Sequence, residues 1–228
     1  MQQLQVPEDS FFALIASLGL ENLGGNNACT TYKKGQNLFY EGSFPVGVYC
    51  IQKGKVKVYK LGQEGKDHII QISTNGDLLG YRALISEEVY PVSAETLEES
   101  SVCFIPKSDF LAMLEKYPKL HHKVLKEACK ELRDMTERLT TLAQKTVRER
   151  LAVALLNLDE IYNIGRATTE TTPPEIQLTR EELANIVGTA TETLIRLLNT
   201  FKADGFISSG RKKVSVLDKK ALQRIGKI

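Results

Sequence analysis

The sequence predicts an α+β fold with three parts: an N-terminal antiparallel β-roll of the jelly-roll type, a long dimerisation helix and a C-terminal winged helix-turn-helix. Three observations predict this order. Short strand-like runs separated by glycines fill residues 30–110, apolar residues recur at heptad spacing over 119–143, and two amphipathic segments flank a glycine near position 188. The predicted domains are residues 1–118, 119–145 and 146–228.

The N-terminal part is typical of an antiparallel roll, because short strands at regular spacing with glycine turns favour a sandwich or roll. The run Lys55–Leu61, KVKVYKL, alternates polar and apolar residues and so predicts a half-buried strand. The predicted strands are Tyr32, Asn37–Tyr40, Val46–Gln52, Lys55–Leu61, His68–Ser73, Val92–Thr96 and Ser101–Pro106.

Composition limits the class of protein. A chain of 228 residues with 42% hydrophobic residues is expected to fold. The apolar run Phe11–Leu20 is too short to span a bilayer and has no basic region before it, so we expect a cytoplasmic protein without a membrane partner.

The four cysteines lack CxxC spacing and neither form a metal-knuckle pattern nor demand disulfides. Cys50 and Cys103 lie in strand-like runs and are expected to be packed thiols.

The middle of the chain carries a heptad seam that predicts a long helix from Lys119 to about Ala143. A narrow apolar seam with charged flanks favours pairing with a second copy, and the alternative is a helix packed only on its own domain. The seam consists of His121, Leu125, Ala128, Leu132, Met135, Leu139 and Leu142. The predicted dimer interface consists of Leu125, Ala128, Leu132, Met135, Leu139 and Leu142.

A hinge is predicted directly after this helix. Thr146 and Glu149 have the spacing of a capping box, in which the first residue of a helix and the third exchange hydrogen bonds. A new amphipathic helix, from Arg150 to Tyr162, would then join the C-terminal core.

Residues 178–204 predict two helices joined by a tight turn. Thr179 and Glu182 form a second capping-box pattern, and Gly188 interrupts the helical periodicity as the turn between crossed helices requires. The second helix begins near Thr191, and Gly205 is a natural stop. Its apolar residues, which would face the first helix, are Leu194, Leu197, Leu198 and Phe201.

The outward face of the second helix is suited to a DNA groove. Glu192 and Arg196 are four residues apart and lie side by side near its start. A carboxylate accepts from the amino group of cytosine and a guanidinium donates two bonds to guanine, so the pair can contact both strands around G·C pairs. The alternative is an ordinary intrahelical ion pair. The outward residues are Thr191, Glu192, Ile195, Arg196 and Asn199.

The segment after Gly205 predicts a β-hairpin wing. Phe206–Ser208 and Lys213–Leu217 look like short strands, and Arg211 and Lys212 lie at their turn, where cations can follow phosphates. The alternative is a solvated basic turn. Asp218 could cap a last helix over Lys219–Ile225.

Charge is divided unevenly along the chain. Residues 1–118 carry 10 Lys and Arg against 14 Asp and Glu, a net of −4, whereas residues 119–228 carry 20 against 14, a net of +6. This asymmetry supports a polyanionic partner for the C-terminal half.

Together these motifs resemble the CRP/FNR family of bacterial transcription regulators. The resemblance rests on Tyr32–Gly42, YKKGQNLFYEG, on Tyr49-x-x-x-x-Gly54-x-Val56-x-Val58 and on Gly76-Asp77-x-x-Gly80, followed by the long helix and the winged helix. It implies a homodimer with an effector-binding roll that binds double-stranded DNA at a palindromic operator, with RNA polymerase as an expected partner.

The resemblance also implies roles for single residues of the winged helix. Glu192 and Arg196 match the Glu and Arg with which the family recognises a G·C-containing half-site, and Thr179 and Arg180 match positions that touch phosphate. Thr191 stands where some members carry a base-contacting Arg. The implied DNA-contacting residues are Thr179, Arg180, Thr191, Glu192, Arg196, Asn199, Arg211 and Lys212.

The family's cAMP site does not carry over. The Glu that holds the ribose in cAMP-binding members is replaced by Tyr81 after Gly80, and the region around Val92 lacks the Arg that holds the cyclic phosphate. Without a fixed cation, the negative charge of the cyclic phosphate would lack a partner when it is buried. We therefore expect an effector other than cAMP. The implied effector pocket comprises Gly80, Tyr81, Arg82, Val92, Ser93, Met135 and Thr136.

The cysteines and histidines of the sequence limit the other cofactors that the protein could bind. Only Cys29 is near the N-terminal region that holds the iron–sulphur cluster in some members, so we expect neither this cluster nor another metal site. His68, His121 and His122 are possible haem ligands, so haem binding stays open.

The alternative functions are a haem- or redox-responsive regulator of the same architecture and a small-molecule-binding module that acts through protein contacts. Without a Ser/His/Asp arrangement, HExxH or a phosphate loop, we expect no enzyme.

Overall fold

The structure, a computed structural model, describes residues 10–18, 29–62, 67–166 and 172–228. The chain divides into two compact units, residues 1–66 with 70–133 and residues 67–69 with 134–228. The division falls inside the long helix, and the domain boundaries at 118 and 145 stay a prediction. None of the described helices is both long enough and apolar enough to cross a membrane.

The first unit is built on two four-stranded sheets, which confirms the predicted antiparallel roll. The first sheet has the order β1-β8-β3-β6 and the second β2-β7-β4-β5. The strands are β1 (Thr30–Tyr32), β2 (Asn37–Phe39), β3 (Gly47–Lys53), β4 (Val56–Leu61), β5 (Asp67–Ser73), β6 (Leu78–Leu79), β7 (Ser93–Thr96) and β8 (Ser100–Pro106).

Strand alternation divides the apolar residues of this unit between two cores. Ile51 of β3 belongs to a core with residues from both sheets, such as Val58 and Val102. Its neighbour Cys50 faces the other way, into a second core that includes helical residues. The helices of this unit are α1 (Phe11–Ser17), α2 (Tyr81–Ser86), α3 (Lys107–Lys116) and the first part of α4 (Pro118–Gln144).

Three of these helices have no counterpart in the sequence prediction. Within the apolar run Phe11–Leu20, α1 covers Phe11–Ser17, and residues 19 and 20 lie outside the described residues. The six residues of α2 are too few to show a helical period. The start of α3 is hidden because it follows strand β8 with no loop between them. Its Phe110 and Met113 are buried at helical spacing.

The prediction of a half-buried strand at Lys55–Leu61 is wrong for two of its three lysines, whereas Lys60 is exposed as expected. Lys55 and Lys57 are only 9% and 5% exposed. Lys57 lies opposite Glu95 of β7 in the strand register, and the two side chains pair at 3.4 Å, while Lys55 pairs with Glu98 at 3.0 Å. Acidic side chains that approach from a distant part of the chain compensate the buried charges, so the alternation does not mark a solvent face.

The expectation of packed thiols holds for Cys50 and is wrong for Cys103. Cys50 is buried and free, and burial raises the pKa of its thiol to about 12. Cys103 forms a disulfide with Cys29, because β1 pairs with β8 and places Cys29 opposite Cys103. Cys129 is free and exposed.

The second unit forms the predicted winged helix. Capping boxes at Thr146–Glu149 and Thr179–Glu182 begin two of its helices, and Asp218 caps the last one. The wing strands pair antiparallel. The elements are the end of α4, α5 (Val147–Asn163), α6 (Arg180–Val187), α7 (Thr191–Ala203), β9 (Ile207–Ser209), β10 (Val214–Val216) and α8 (Lys219–Gly226).

Candidate nucleic-acid interface

Helix α7 is held by its apolar face. Leu194, Leu198 and Phe201 are fully buried, together with Leu183 and Val187 of the neighbouring α6. Each large apolar side chain buried in this way stabilises the unit by about 1.5–3 kcal/mol. The inner face therefore fixes the helix, and its outer face is left for other contacts.

The turn between α6 and α7 depends on Gly188. Its φ of 70° lies in the left-handed region, where a side chain is strained. A Cβ at this position would also lie 3.1 Å from Cδ2 of Leu142, near the end of α4. Space and backbone conformation both favour glycine here, so the predicted turn residue is confirmed.

The outer face of α7 exposes the predicted base-contacting groups. Glu192, Arg196 and Asn199 are exposed, Ile195 is exposed as well, and Thr191 is half-buried. Within the described part of the chain, Glu192 and Arg196 form no ion pair with each other. The intrahelical pair considered as an alternative is therefore not formed, and both head groups point to solvent.

Thr179 and Arg180 are engaged within the protein. Thr179 donates its hydroxyl proton to Glu182 Oε2 at 2.9 Å and accepts from the Glu182 amide at 3.1 Å. Arg180 donates to Ser209 Oγ at 2.8 Å and to the Gly210 carbonyl, and burial lowers its pKa. Both residues shape the site by fixing α6 and the wing, and their phosphate contacts stay a prediction.

The wing turn carries free cations at its tip. Arg211 and Lys212 are exposed, whereas the neighbouring Lys213 pairs with Glu175 at 2.6 Å. Lys202, near the end of α7, donates to the Ser209 carbonyl at 3.2 Å and links the recognition helix to the wing. The hairpin thus presents two unpaired positive side chains from a fixed position.

Arg150 connects the hinge to the helix-turn-helix, a role that the sequence analysis missed. Its guanidinium donates to the Lys145 carbonyl at 3.1 Å, to the Val187 carbonyl at 2.9 Å and to the Gly188 carbonyl at 2.8 Å. These carbonyls lie at or directly after the ends of α4 and α6, where helices leave acceptors without partners. An arginine one position after a capping glutamate gives no sequence signal of this contact.

The start of α5 is fixed by further polar contacts. Glu149 accepts from Lys227, and this contact, with the hydrogen bonds from Thr146, lowers the pKa of Glu149 to about 2. Arg148 lies 5.6 Å from the ring centroid of Phe201 and 3.8 Å from the Asp204 carboxylate. The hinge is therefore tied both to the C-terminal helix and to the recognition helix.

Comparison with known proteins assigns the family. Residues 29–117 match the family described as a cyclic nucleotide-binding domain, and residues 149–225 match the Crp-like helix-turn-helix domain. The chain is 31% identical over 186 residues to the transcriptional activator protein anr of Pseudomonas aeruginosa, covering 82% of this chain and 75% of that protein. The chain belongs to the CRP/FNR family of transcription regulators. It therefore carries a helix-turn-helix DNA-binding domain in a family of regulators rather than of enzymes.

Further relatives of this CRP/FNR regulator support the family by sequence and share its fold. The fumarate and nitrate reduction regulatory protein of Escherichia coli K12 is 30% identical over 195 residues, covering 85% of this chain and 76% of that protein. A CRP/FNR-family regulator of Thermus thermophilus shares the fold at a TM-score of 0.74 with 24% identity, over 87% of this chain and 98% of that one. FixK2 of Bradyrhizobium japonicum gives 0.73 with 23% identity, over 86% and 95%.

The long helix of this CRP/FNR regulator leaves a row of leucines uncovered. Leu132 and Leu139 are 67% and 68% exposed, and Leu125 and Leu142 are also exposed. Ala128 and Met135 of the same seam are half-buried. Large apolar side chains at heptad spacing are expected to be covered by a partner helix.

The part of the predicted effector pocket in the first unit is filled by internal contacts. Tyr81 is buried, and burial, followed by the nearby Glu131 carboxylate, raises the pKa of its hydroxyl. Arg82 pairs with the same carboxylate at 3.1 Å, and Ser93 accepts from the Glu41 amide at 2.9 Å. Gly80 precedes α2 with a φ of 84°.

The rest of the predicted pocket extends beyond the first unit, and the histidines considered for haem lie at the surface. Val92 is buried, but Met135 and Thr136 belong to the second unit, so the pocket as a whole stays a prediction. The candidate haem ligands His68, His121 and His122 are all exposed. Within the described ranges, no group of three or more His, Cys, Asp or Glu residues is arranged to hold a metal ion.

Proposed function

We propose that this protein is a homodimeric, sequence-specific regulator that binds a palindromic operator through its recognition helix, residues 191–204. The observation that supports it best is the outer face of α7, where Glu192 and Arg196 are exposed and not paired with each other, above a fully buried inner face. The free cations of the wing adjoin this helix in the same unit.

The operator geometry follows from two-fold symmetry. Two recognition helices related by a dimer axis enter successive major grooves, so half-sites should lie about 10–11 bp apart from centre to centre. Arg196 would donate to guanine and Glu192 would accept from cytosine. Selection of bound duplexes from a random pool tests this proposal, and a pool without a symmetric repeat would contradict it.

Replacing Arg196 with Ala should weaken binding to the selected operator by about 1–3 kcal/mol and relax the preference at one G·C pair. The reason is the loss of a bidentate contact to a base edge. Fluorescence anisotropy on the operator and on single-base variants measures both effects. Arg224→Ala, which removes an exposed arginine on α8, is the matched control. Equal weakening on random DNA would mean that Arg196 contacts only the backbone.

Replacing Lys212 with Ala should weaken binding to all sequences alike, because a phosphate contact carries no sequence information. The slope of log K against log salt should become shallower by about 0.9. Anisotropy titrations at several salt concentrations give the slope, with Lys220→Ala, an exposed lysine on α8, as the control. An unchanged slope for Lys212→Ala would argue against wing contacts.

The effector in this proposal is not cAMP. Tyr81 is buried where the ribose-binding Glu of the cAMP-binding members would stand, and the nearby cation Arg82 is already paired with Glu131. Calorimetric titration with cAMP should therefore give no saturable heat.

RNA polymerase is the proposed protein partner, in keeping with relatives named transcriptional activators. A gel shift on genomic fragments separates this function from a module that contacts only protein.

A further inference from the structure

The last helix, α8, is joined to α5 by an ion pair near each of its ends. At its start, Lys219 Nζ lies 2.5 Å from Oδ2 of Asp159, in the last third of α5. At its end, Lys227 Nζ lies 2.5 Å from Oε1 of Glu149, in the first turn of α5. Between the two pairs, Leu222 is fully buried. One ion pair therefore fixes α8 at the hinge, and the other fixes it far from the hinge.

The two partners of the first pair differ sharply in burial. The side chain of Asp159 is 1% exposed, whereas that of Lys219 is 56% exposed. Apart from this ion pair, no described residue donates a hydrogen bond to either carboxylate oxygen of Asp159. A buried carboxylate is costly unless a cation lies beside it. Water can solvate the Lys219 ammonium in many positions, so it is the buried carboxylate that holds Lys219 in this one.

Lys219 lies at the root of the wing. Strand β10 ends at Val216, three residues before Lys219. The amides of the intervening Leu217 and Asp218 both donate to the Phe206 carbonyl, at 2.9 and 3.1 Å, and close the base of the hairpin. No flexible linker therefore separates Lys219 from the wing. A shift of the start of α8 moves the base of the hairpin with it.

We propose that Asp159 and Lys219 are positioning residues for DNA binding, which fix the wing so that its cations reach the phosphate backbone. The inference rests on the proposed function, in which Arg211 and Lys212 at the wing tip contact phosphates. Neither Asp159 nor Lys219 touches DNA in this role, because the carboxylate is buried and the ammonium is held beside it. The second pair, at Glu149, ties the same helix to the hinge, so the wing follows the orientation of α5.

Substitution of Asp159 separates positioning from simple electrostatics by the sign of its effect. A carboxylate repels phosphates, so an electrostatic role alone predicts that Asp159→Asn tightens DNA binding. The positioning role predicts weaker binding, because a neutral amide holds the Lys219 ammonium less firmly than a carboxylate does. The amide has nearly the same shape and leaves no buried charge without a partner, so we expect Asp159→Asn to fold.

Removal of the cation gives the larger effect. Lys219→Met should bind the selected duplex at least about tenfold more weakly, and the slope of log K against log salt should become shallower by about 1.8, because two wing cations lose their phosphates. Lys219→Arg keeps a cation beside the carboxylate and should retain most of the affinity. Lys220→Met, which removes an exposed lysine from the next position of α8, is the matched control and should leave affinity and slope unchanged.

Combination with a wing-tip variant distinguishes positioning from a direct contact of Lys219 with DNA. Fluorescence anisotropy at several salt concentrations compares Lys212→Ala, Lys219→Met and the double variant. If the wing is already displaced in Lys219→Met, the further change Lys212→Ala should have almost no effect. Full additivity of the two substitutions would mean that Lys219 acts on DNA independently of the wing, and it would overturn the positioning role.

Amide hydrogen exchange tests the anchor without DNA. Residues 207–216 of the wing should exchange faster in Asp159→Asn and Lys219→Met than in the parent or in Lys220→Met. Circular dichroism shows whether each variant folds, and Asp159→Asn provides the test if Lys219→Met does not fold.

Tighter DNA binding by Asp159→Asn, or a Lys219→Met variant that matches Lys220→Met, would overturn the inference. Absence of operator binding by the parent would instead contradict the proposed function, while the exchange of residues 207–216 still decides whether the pair fixes the hairpin.

Discussion

The double variant Leu132→Glu, Leu139→Glu is expected to be monomeric and to bind the operator at least about 100-fold more weakly than the parent. Leu132 and Leu139 are the most exposed leucines of α4, at 67% and 68%. In a paired helix each would insert between side chains of the partner, and a carboxylate there would be desolvated beside its own symmetry mate. A monomer holds one recognition helix and so loses most of the affinity that a palindrome provides.

Sedimentation equilibrium measures the mass, and anisotropy on the selected duplex measures the affinity. Leu111→Glu makes the same change at an exposed leucine of α3 and should stay dimeric. Circular dichroism shows whether the double variant still folds, as expected for substitutions at exposed positions. If the double variant sediments as a dimer, the heptad seam is not the interface.

Elements with local signals could be predicted from the sequence. The observed limits of α4, α6 and α7 lie within a residue or two of those expected. The reason is that heptad spacing, capping boxes at Thr146 and Thr179 and the stop at Gly205 all act within a few residues. The wing strands and the cap at Asp218 follow for the same reason.

Features that depend on distant pairing could not be predicted. Lys57 looks solvent-facing until β7 brings Glu95 opposite it. Cys29 and Cys103 carry no spacing signal, because their contact depends on the register between β1 and β8. Within the candidate site, the same holds for Arg180, whose partners on the wing lie about thirty residues further along the chain.

Replacing Arg150 with Ala is expected to lower the free energy of unfolding by about 2–3 kcal/mol and to relax the preference for one half-site spacing. The side chain joins the carbonyl of Lys145 in the hinge to those of Val187 and Gly188 at the turn before α7. Without the guanidinium, the three carbonyl oxygens can accept hydrogen bonds only from water. The turn is then no longer held to the hinge. The recognition helix would then keep its proposed base-contacting residues but lose its fixed orientation to the end of α4.

The measurement compares affinity for selected operators whose half-sites are moved apart or together by one base pair. The parent should prefer one spacing, Arg150→Ala should bind the spacings more nearly alike, and Arg150→Lys should be intermediate, since an ammonium keeps the charge but not the planar fork. Arg224→Ala, which removes an exposed arginine on α8, should keep the spacing preference. A misplaced recognition helix changes which half-site spacing binds best, whereas a smaller folded fraction lowers the affinity for all spacings equally. A loss of stability with the spacing preference intact would therefore make Arg150 a structural residue only.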